Sequence, residues 1–256
     1  MKKIITTLAV LGAMSSASAF AANCAGLPTQ AQLKSELLEA IGGTPITTPE
    51  LSAASAKING GFGLNMWATI VNRDGEVCAV AMTGNDRGAQ WPGSRVISAQ
   101  KANTANAFSL PELPLSTANL YAATQPGGSL FGLQESNPVD TTVAYAGSSE
   151  NYGTENDPLV GKKIGGINVF GGGLALYNSS KTLVGAIGVS GDSSCADHNI
   201  AWSTRRLLGY DVTPGGVSSK GNDGIVYATG STIKGWQHPV CSAAAKAASI
   251  KLKAGG

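Results

Sequence analysis

The chain has 256 residues, 43% of them hydrophobic, with 34 glycines and 18 Lys and Arg against 16 Asp and Glu. That length suits one large domain with a real core better than two small ones. Once Lys2 and Lys3 are removed with an N-terminal leader, basic and acidic residues balance, which excludes the basic field that nucleic-acid binding needs.

The leader reads as a secretory signal. Lys2 and Lys3 precede an apolar run over residues 4–14 that is too short to span a bilayer, and Ala17, Ala19 and Ala21 offer small-residue cleavage positions. Cleavage after Ala21 leaves a single domain over residues 22–256, in the periplasm or outside the cell. Asn23 before Cys24 argues against a lipid anchor, and no later segment suits a membrane helix. The four cysteines, Cys24, Cys78, Cys195 and Cys241, suit two disulfides in an oxidising compartment. Of the three pairings, Cys24 with Cys78 and Cys195 with Cys241 is favoured because each half is then stapled. No C-x-x-C spacing supports a metal site instead.

In chain order, Thr29 and Gln32 form a capping box for a helix carrying Leu33, Leu37, Leu38 and Ile41, stopped by Gly42 and Gly43. Thr48, Pro49 and Glu50 start a second helix, which runs to about Ile58 before Gly60 and Gly61. Residues 64–71 and 77–82 flank the turn Asn72, Arg73, Asp74, Gly75 and predict a hairpin. Residues 94–108 predict a helix with a small-residue inner face, ended by the two prolines of LPELP at 110–114. From about 136 to 166 the chain turns polar, which predicts a long surface insertion.

Residues 174–177 and 183–189 around the turn 178–181 predict a second hairpin. Gly185, Gly188 and Gly191 recur at every third position, and close packing of a helix or approach of a flat ligand would each explain them. Ser193 or Ser194 then caps a helix containing Ala196, Ile200 and Ala201, and an alanine-rich helix closes the chain over 242–253. Hairpins each followed by a helix give an α/β (α+β) architecture with helices packed on an antiparallel sheet.

The segments Asn72-Arg73-Asp74-Gly75, Asn85-Asp86-Arg87-Gly88-Ala89, Ser94 with residues 99–105, Gly172-Gly173-Leu174 and 185–191 occur in an order that resembles the HbpS/GlcG family. This haem-binding or haem-degrading group includes the C-terminal domain of PduO proteins. The resemblance covers about residues 63–209 and implies a profilin-like three-layer α/β/α sandwich with a five-stranded antiparallel sheet, symmetric oligomers and, in some members, bound haem. The polar insertion and the segments around Cys195 and Cys241 depart from the pattern and mark an exported, cysteine-containing branch.

Haem requires an apolar slot and an axial ligand. After the signal only His198 and His238 remain as histidines, and pairing Cys195 with Cys241 would bring both near one disulfide. His198 is therefore the leading candidate for a haem iron ligand, with His238 beside it. The bland alternative is a histidine held by Asp197 or backbone, and another in a loop. Arg87 could face a propionate or form a surface salt bridge with Asp86. Lys101 and Thr104, three apart on one helix, could line the same slot or form a solvated edge. Asp197, His198 and the serines 190 and 193 are the residue types of a hydrolase triad, without the G-x-S-x-G motif.

The expected function is an exported small-ligand-binding protein for haem or a related tetrapyrrole. The alternatives are an enzyme of small organic acids, with Arg87 holding a carboxylate, and a structural oligomer without cofactor. The expected partners are a small molecule and further copies of the chain, with neither nucleic acid nor, after signal cleavage, a membrane.

Overall fold

The computed structural model describes residues 23–229 and 235–255, so the expected signal at 1–21 lies outside the described residues. Helix α1 (Gln30–Ile41) begins at the Thr29/Gln32 capping box and ends at Gly42 in the left-handed conformation. Its Leu33, Leu37 and Ile41 are buried, each contributing roughly 1.5 to 3 kcal/mol. Helix α2 (Pro49–Asn59) is capped by Thr48 and stopped by Gly60.

Strands β1 (Trp67–Asn72) and β2 (Val77–Met82) form the first hairpin, and β3 (Gly173–Tyr177) and β4 (Leu183–Ser190) form the second. Their order in the sheet is β2-β1-β4-β3, all antiparallel. Strand β1 starts later than position 64 because the backbone before it is committed elsewhere: the Phe62, Gly63 and Leu64 amides donate to the Asp192 carboxylate.

Alternation along β1 splits the core. Ala68 and Ile70 face α1 and the helix α6 (Ser194–Leu207), while Trp67 and Val71 face α3 (Ser94–Phe108). Helix α3 approaches β4 so closely that a Cβ at Gly188 would collide with the Ser98 carbonyl oxygen and the Ala102 nitrogen. A second carbon at Gly185 would collide with the Val71 carbonyl. Both glycines therefore serve backbone packing, and a flat ligand has no room over them.

The sheet differs from the five strands implied by the resemblance: four are present among the described residues. The later β-forming segments pair elsewhere, since β5 (Val226–Tyr227) and β6 (Gln237–His238) make a separate parallel ribbon. Beside β3 only one bridge forms, between Tyr177 and Asp211, and Pro214 with two glycines then turns the chain away. The β2 edge is covered by the Gly161 and Lys162 backbone.

The polar stretch 136–166 is more than a surface excursion. It contains the short helix α5 (Thr141–Ala144) and a 3-10 turn (Ser149–Asn151), and it buries Ala144, Asp157, Leu159 and Ile164. Arg95 of α3 explains why: its guanidinium pairs with Asp157, donates to the Ala144 carbonyl at 2.9 Å and lies 3.6 Å over the Tyr152 ring. A buried guanidinium without those partners would cost several kcal/mol.

Helix α4 (Thr117–Thr124) escaped the sequence reading although Ser116 and Asn119 form its capping box. The final helix, α7 (Ala243–Leu252), is capped by Ser242. Disulfides join Cys24 to Cys78 and Cys195 to Cys241. They close separations of 54 and 46 residues, each worth about 4 kcal/mol in a chain-entropy account. Among the described residues no helix is long and apolar enough to cross a membrane.

Candidate binding cleft

Three stretches converge on one cleft of about 280 Å³: Trp91 to Lys101 around the start of α3, Phe170 before β3, and Ser190 to Asp197 from the end of β4 into α6. Its polar floor is built from opposite charges. Lys101, 1% exposed, donates from Nζ to Asp197 Oδ2 at 2.6 Å and to the Val189 carbonyl at 3.1 Å. The third N–H of that ammonium has no partner among the described residues.

Asp197 sits in the first turn of α6, where a carboxylate complements the helix dipole, and its Oδ1 accepts the Asp192 amide at 2.8 Å. Burial pushes its pKa up to about 6, against the opposing pull of Lys101. Asp192 is saturated differently, since it gathers the amides of Phe62, Gly63, Leu64 and Ser193. It therefore holds the β1 entrance to the start of α6.

The walls are apolar. Ile97, Phe170 and Trp91 line them, and Trp91 is half exposed at the mouth. Phe62 meets Trp91 edge to face with ring centroids 6.4 Å apart, which extends an exposed aromatic rim. The spare N–H of the paired lysine, beside aromatic side chains, is suited to a ligand with an acceptor such as a carboxylate oxygen at one end and a flat body at the other.

The candidate residues do not assemble into one site. His198 is fully buried: its Nε2 lies 3.0 Å from the Ala254 carbonyl oxygen and 3.1 Å from the Ile225 nitrogen, and Nδ1 has no partner. Ile225 N–H already donates to Ala254 O at 2.8 Å. The tautomer with Nε2–H donating to Ala254 is favoured because it orphans an acceptor rather than a donor. His198 thus pins the C-terminal segment to α6.

His238 is 2% exposed; its Nδ1–H donates to the Pro239 carbonyl at 2.7 Å, and Nε2 faces Ser194 Oγ at 3.4 Å. Burial pulls both imidazoles down to about 4, so they are neutral near pH 7. The disulfide does lie beside His238, but the two histidines share no hydrogen-bond partner. Nor does a triad form, since Asp197 is taken by Lys101 and His198 Nδ1 stands alone.

Thr104 lies away from the cleft. Its hydroxyl donates to the Gln100 carbonyl at 2.8 Å and accepts the Asn168 amide at 2.9 Å, a structural role that its spacing from Lys101 could not reveal. Arg87 is exposed and borders a separate polar cleft with Asp86, Glu150 and Met82. It makes no ion pair among the described residues. Of the residues predicted to hold haem, Lys101 alone lines the aromatic cleft, joined there by Asp197 and Ser190 from the residue types of a triad.

Haem fits this arrangement poorly at its iron. None of the residues lining the aromatic cleft is His, Met, Cys or Tyr, and both imidazoles are enclosed by their own contacts. Sequence reasoning missed Phe170 and the pairing of Asp197 with Lys101; it offers Trp91 as a porphyrin wall, but only alongside Trp67, Trp202 and Trp236 and without a reason to single it out. An acid in the first turn of α6 was the available signal for the second.

The family model described as "Haem degrading protein HbpS-like" matches residues 49–205. Similar solved structures include the Klebsiella pneumoniae protein ORFY, 21% identical over 71% of this chain and 90% of that one, with a TM-score of 0.43. The PduOC:heme complex is 20% identical over 69% of this chain and 89% of that one, also at 0.43. HbpS is 16% identical over 71% and 90%, at 0.39. No curated protein matches the chain.

Proposed function

Given that the chain belongs to the HbpS-like family, we propose that it is an exported binding protein for a flat, apolar ligand that carries a carboxylate, seated against Lys101 and between Trp91 and Phe170. Haem and related tetrapyrroles have this chemistry through their propionates, and small aromatic acids share it. The observation that carries the reading is a buried ammonium lining an aromatic-rimmed cleft. At about 280 Å³ the cleft is sized for a small acid or one propionate arm, with a macrocycle resting on the exposed rim. His198 and His238 are not assigned to iron in this reading.

Two closed disulfides and the leader support a periplasmic or extracellular location. Helices on opposite sides of the sheet support the profilin-like three-layer reading, and the exposed Phe62 and Trp91 support a homo-oligomer, which light scattering would size.

The test is calorimetric titration of hemin and, separately, benzoate into the mature protein and into Lys101→Met. Saturable binding that weakens at least about tenfold in the variant supports the reading. A Soret shift marks the tetrapyrrole source, and benzoate binding alone marks the small acid. If neither probe binds, or Lys101→Met binds both equally well, the proposal fails.

A second reading, turnover of a small organic acid, is favoured by Asp197, whose pKa of about 6 suits a group that exchanges protons near neutrality. Screening organic acids for consumption by wild type and Asp197→Asn tests it, with equal null rates counting against it.

A further inference from the structure

Outside the cleft, the densest cluster of reactive side chains is the disulfide Cys195–Cys241 with His238. Both sulfurs and one imidazole nitrogen lie within 4.8 Å of one another. We propose that this disulfide is a reducible cap on a two-thiolate, one-imidazole site for a thiophilic cation such as Zn²⁺ or Cu⁺.

The two sulfurs are unequal in a way that directs reduction. Cys241 is exposed, whereas Cys195 is buried in the first turn of α6. An external dithiol therefore attacks Cys241 Sγ, and Cys195 leaves as the thiolate. Backbone donors do not separate the two sulfurs, since the Cys241 amide points at Cys195 Sγ from 3.3 Å and the Cys195 amide at Cys241 Sγ from 3.2 Å, so either thiolate is stabilised and access alone sets the order of attack. The second thiol of the reductant then attacks the mixed disulfide and frees Cys241. The dithiol has lost two electrons and become a disulfide, and both cysteines are reduced. When a cation binds, the two cysteine protons are released to solvent.

The freed groups supply three of the four positions of a tetrahedral ion, and the exposed side at Cys241 admits water to the fourth. Two thiolates on one zinc stand roughly 3.8 Å apart, a separation that opening the S–S bond permits. His238 Nδ1 already sits 3.9 Å from Cys195 Sγ and would exchange the Pro239 carbonyl for the metal. Its Nε2 would keep Ser194 Oγ, at 3.4 Å, as the outer partner that orients the ring. Ser194 Oγ is also 3.4 Å from Cys241 Sγ and lines the ligand cleft, so the redox state of the pair is felt at the cleft wall. The other disulfide lacks these features, because no imidazole accompanies Cys24 and Cys78 among the described residues.

The experiment uses the Cys24→Ser/Cys78→Ser protein, in which one disulfide remains. It is kept oxidised or reduced with a dithiol, freed of reductant without air, and titrated with Co²⁺ as a spectroscopic stand-in for Zn²⁺. The reduced protein is expected to take one equivalent with thiolate charge-transfer absorption, and the oxidised protein none. His238→Gln and the surface variant Cys241→Ser are expected to weaken binding by more than about 100-fold, beyond the loss of an outer partner. Circular dichroism follows folding throughout. Reduction that unfolds the chain, absence of thiolate absorption, or equal binding by a folded His238→Gln protein would each overturn the proposal.

Discussion

Helix α6 carries a buried ion pair at each end, and the two pairs are built for different ends. At its start, Asp197 meets Lys101, a point charge that lines a cleft. At its close, Arg205 grips Asp223 with two parallel bonds of 2.6 and 2.8 Å, donates to the Ala175 carbonyl and lies 4.8 Å from the Trp202 ring. Both pairs suit the helix dipole, with the acid in the first turn and the base in the last. Each cation keeps an unpaired N–H among the described residues, but Arg205 Nε is sealed inside the protein, whereas Lys101 presents its own at a cleft beside apolar side chains. A buried charge can meet a ligand only where it also borders open space.

The strongest way to break this contrast is at the sealed pair. Arg205→Ala leaves Asp223 buried without a partner and is expected to lose about 3 to 5 kcal/mol of stability, read from urea unfolding. A loss under 1 kcal/mol would mean that the sealed pair is no more structural than the open one.

Acid tests the surroundings of both pairs. His198 and His238 have folded pKa values of about 4, below their usual 6.5, so the unfolded chain binds more protons between those values. Their stabilisation is complete above pH 6.5 and is lost as pH falls toward 4, by roughly 3 kcal/mol for each. Asp197 has the opposite sign: its folded value of about 6 lies above 3.8, so falling pH through that window favours the folded state and offsets part of the loss. A net drop of a few kcal/mol between pH 6.5 and 4 is expected in the melting curve, and a flat profile would contradict the enclosed imidazoles.

The smallest effect sharpens the open end. Trp91→Ala strips a half-exposed aromatic side chain from the cleft's mouth, and it is expected to weaken hemin or benzoate binding by about fivefold, roughly 1 kcal/mol, with stability unchanged within about 0.5 kcal/mol. Equal affinity would move the ligand away from the aromatic rim.

Much of the local structure was legible in the residues. The Thr29/Gln32 box, the Thr48-Pro49 start and the hairpin turn at Asn72 to Gly75 each act within a few positions, so their physics is complete in a short window. The site was legible only in fragments. Lys101 stood out as a residue type, but its partner lies 96 positions away. Thr104, on the same helix, points its hydroxyl into a backbone contact with Asn168. The polar insertion looked solvated because its few apolar residues are scattered, and Arg95 is what draws Asp157 and Tyr152 inward.

By itself the sequence determined both hairpins and the helices other than α4 and α5, the family, the count of oxidisable cysteines and the scarcity of imidazoles, because caps, turns and alternation are short-range. The tertiary structure alone decided that the sheet has four strands among the described residues, that His198 faces the C-terminal backbone, and that Lys101 borders a cleft beside Trp91. Those outcomes depend on which buried polar groups find partners across the chain, and desolvation makes that choice only once distant segments have packed together.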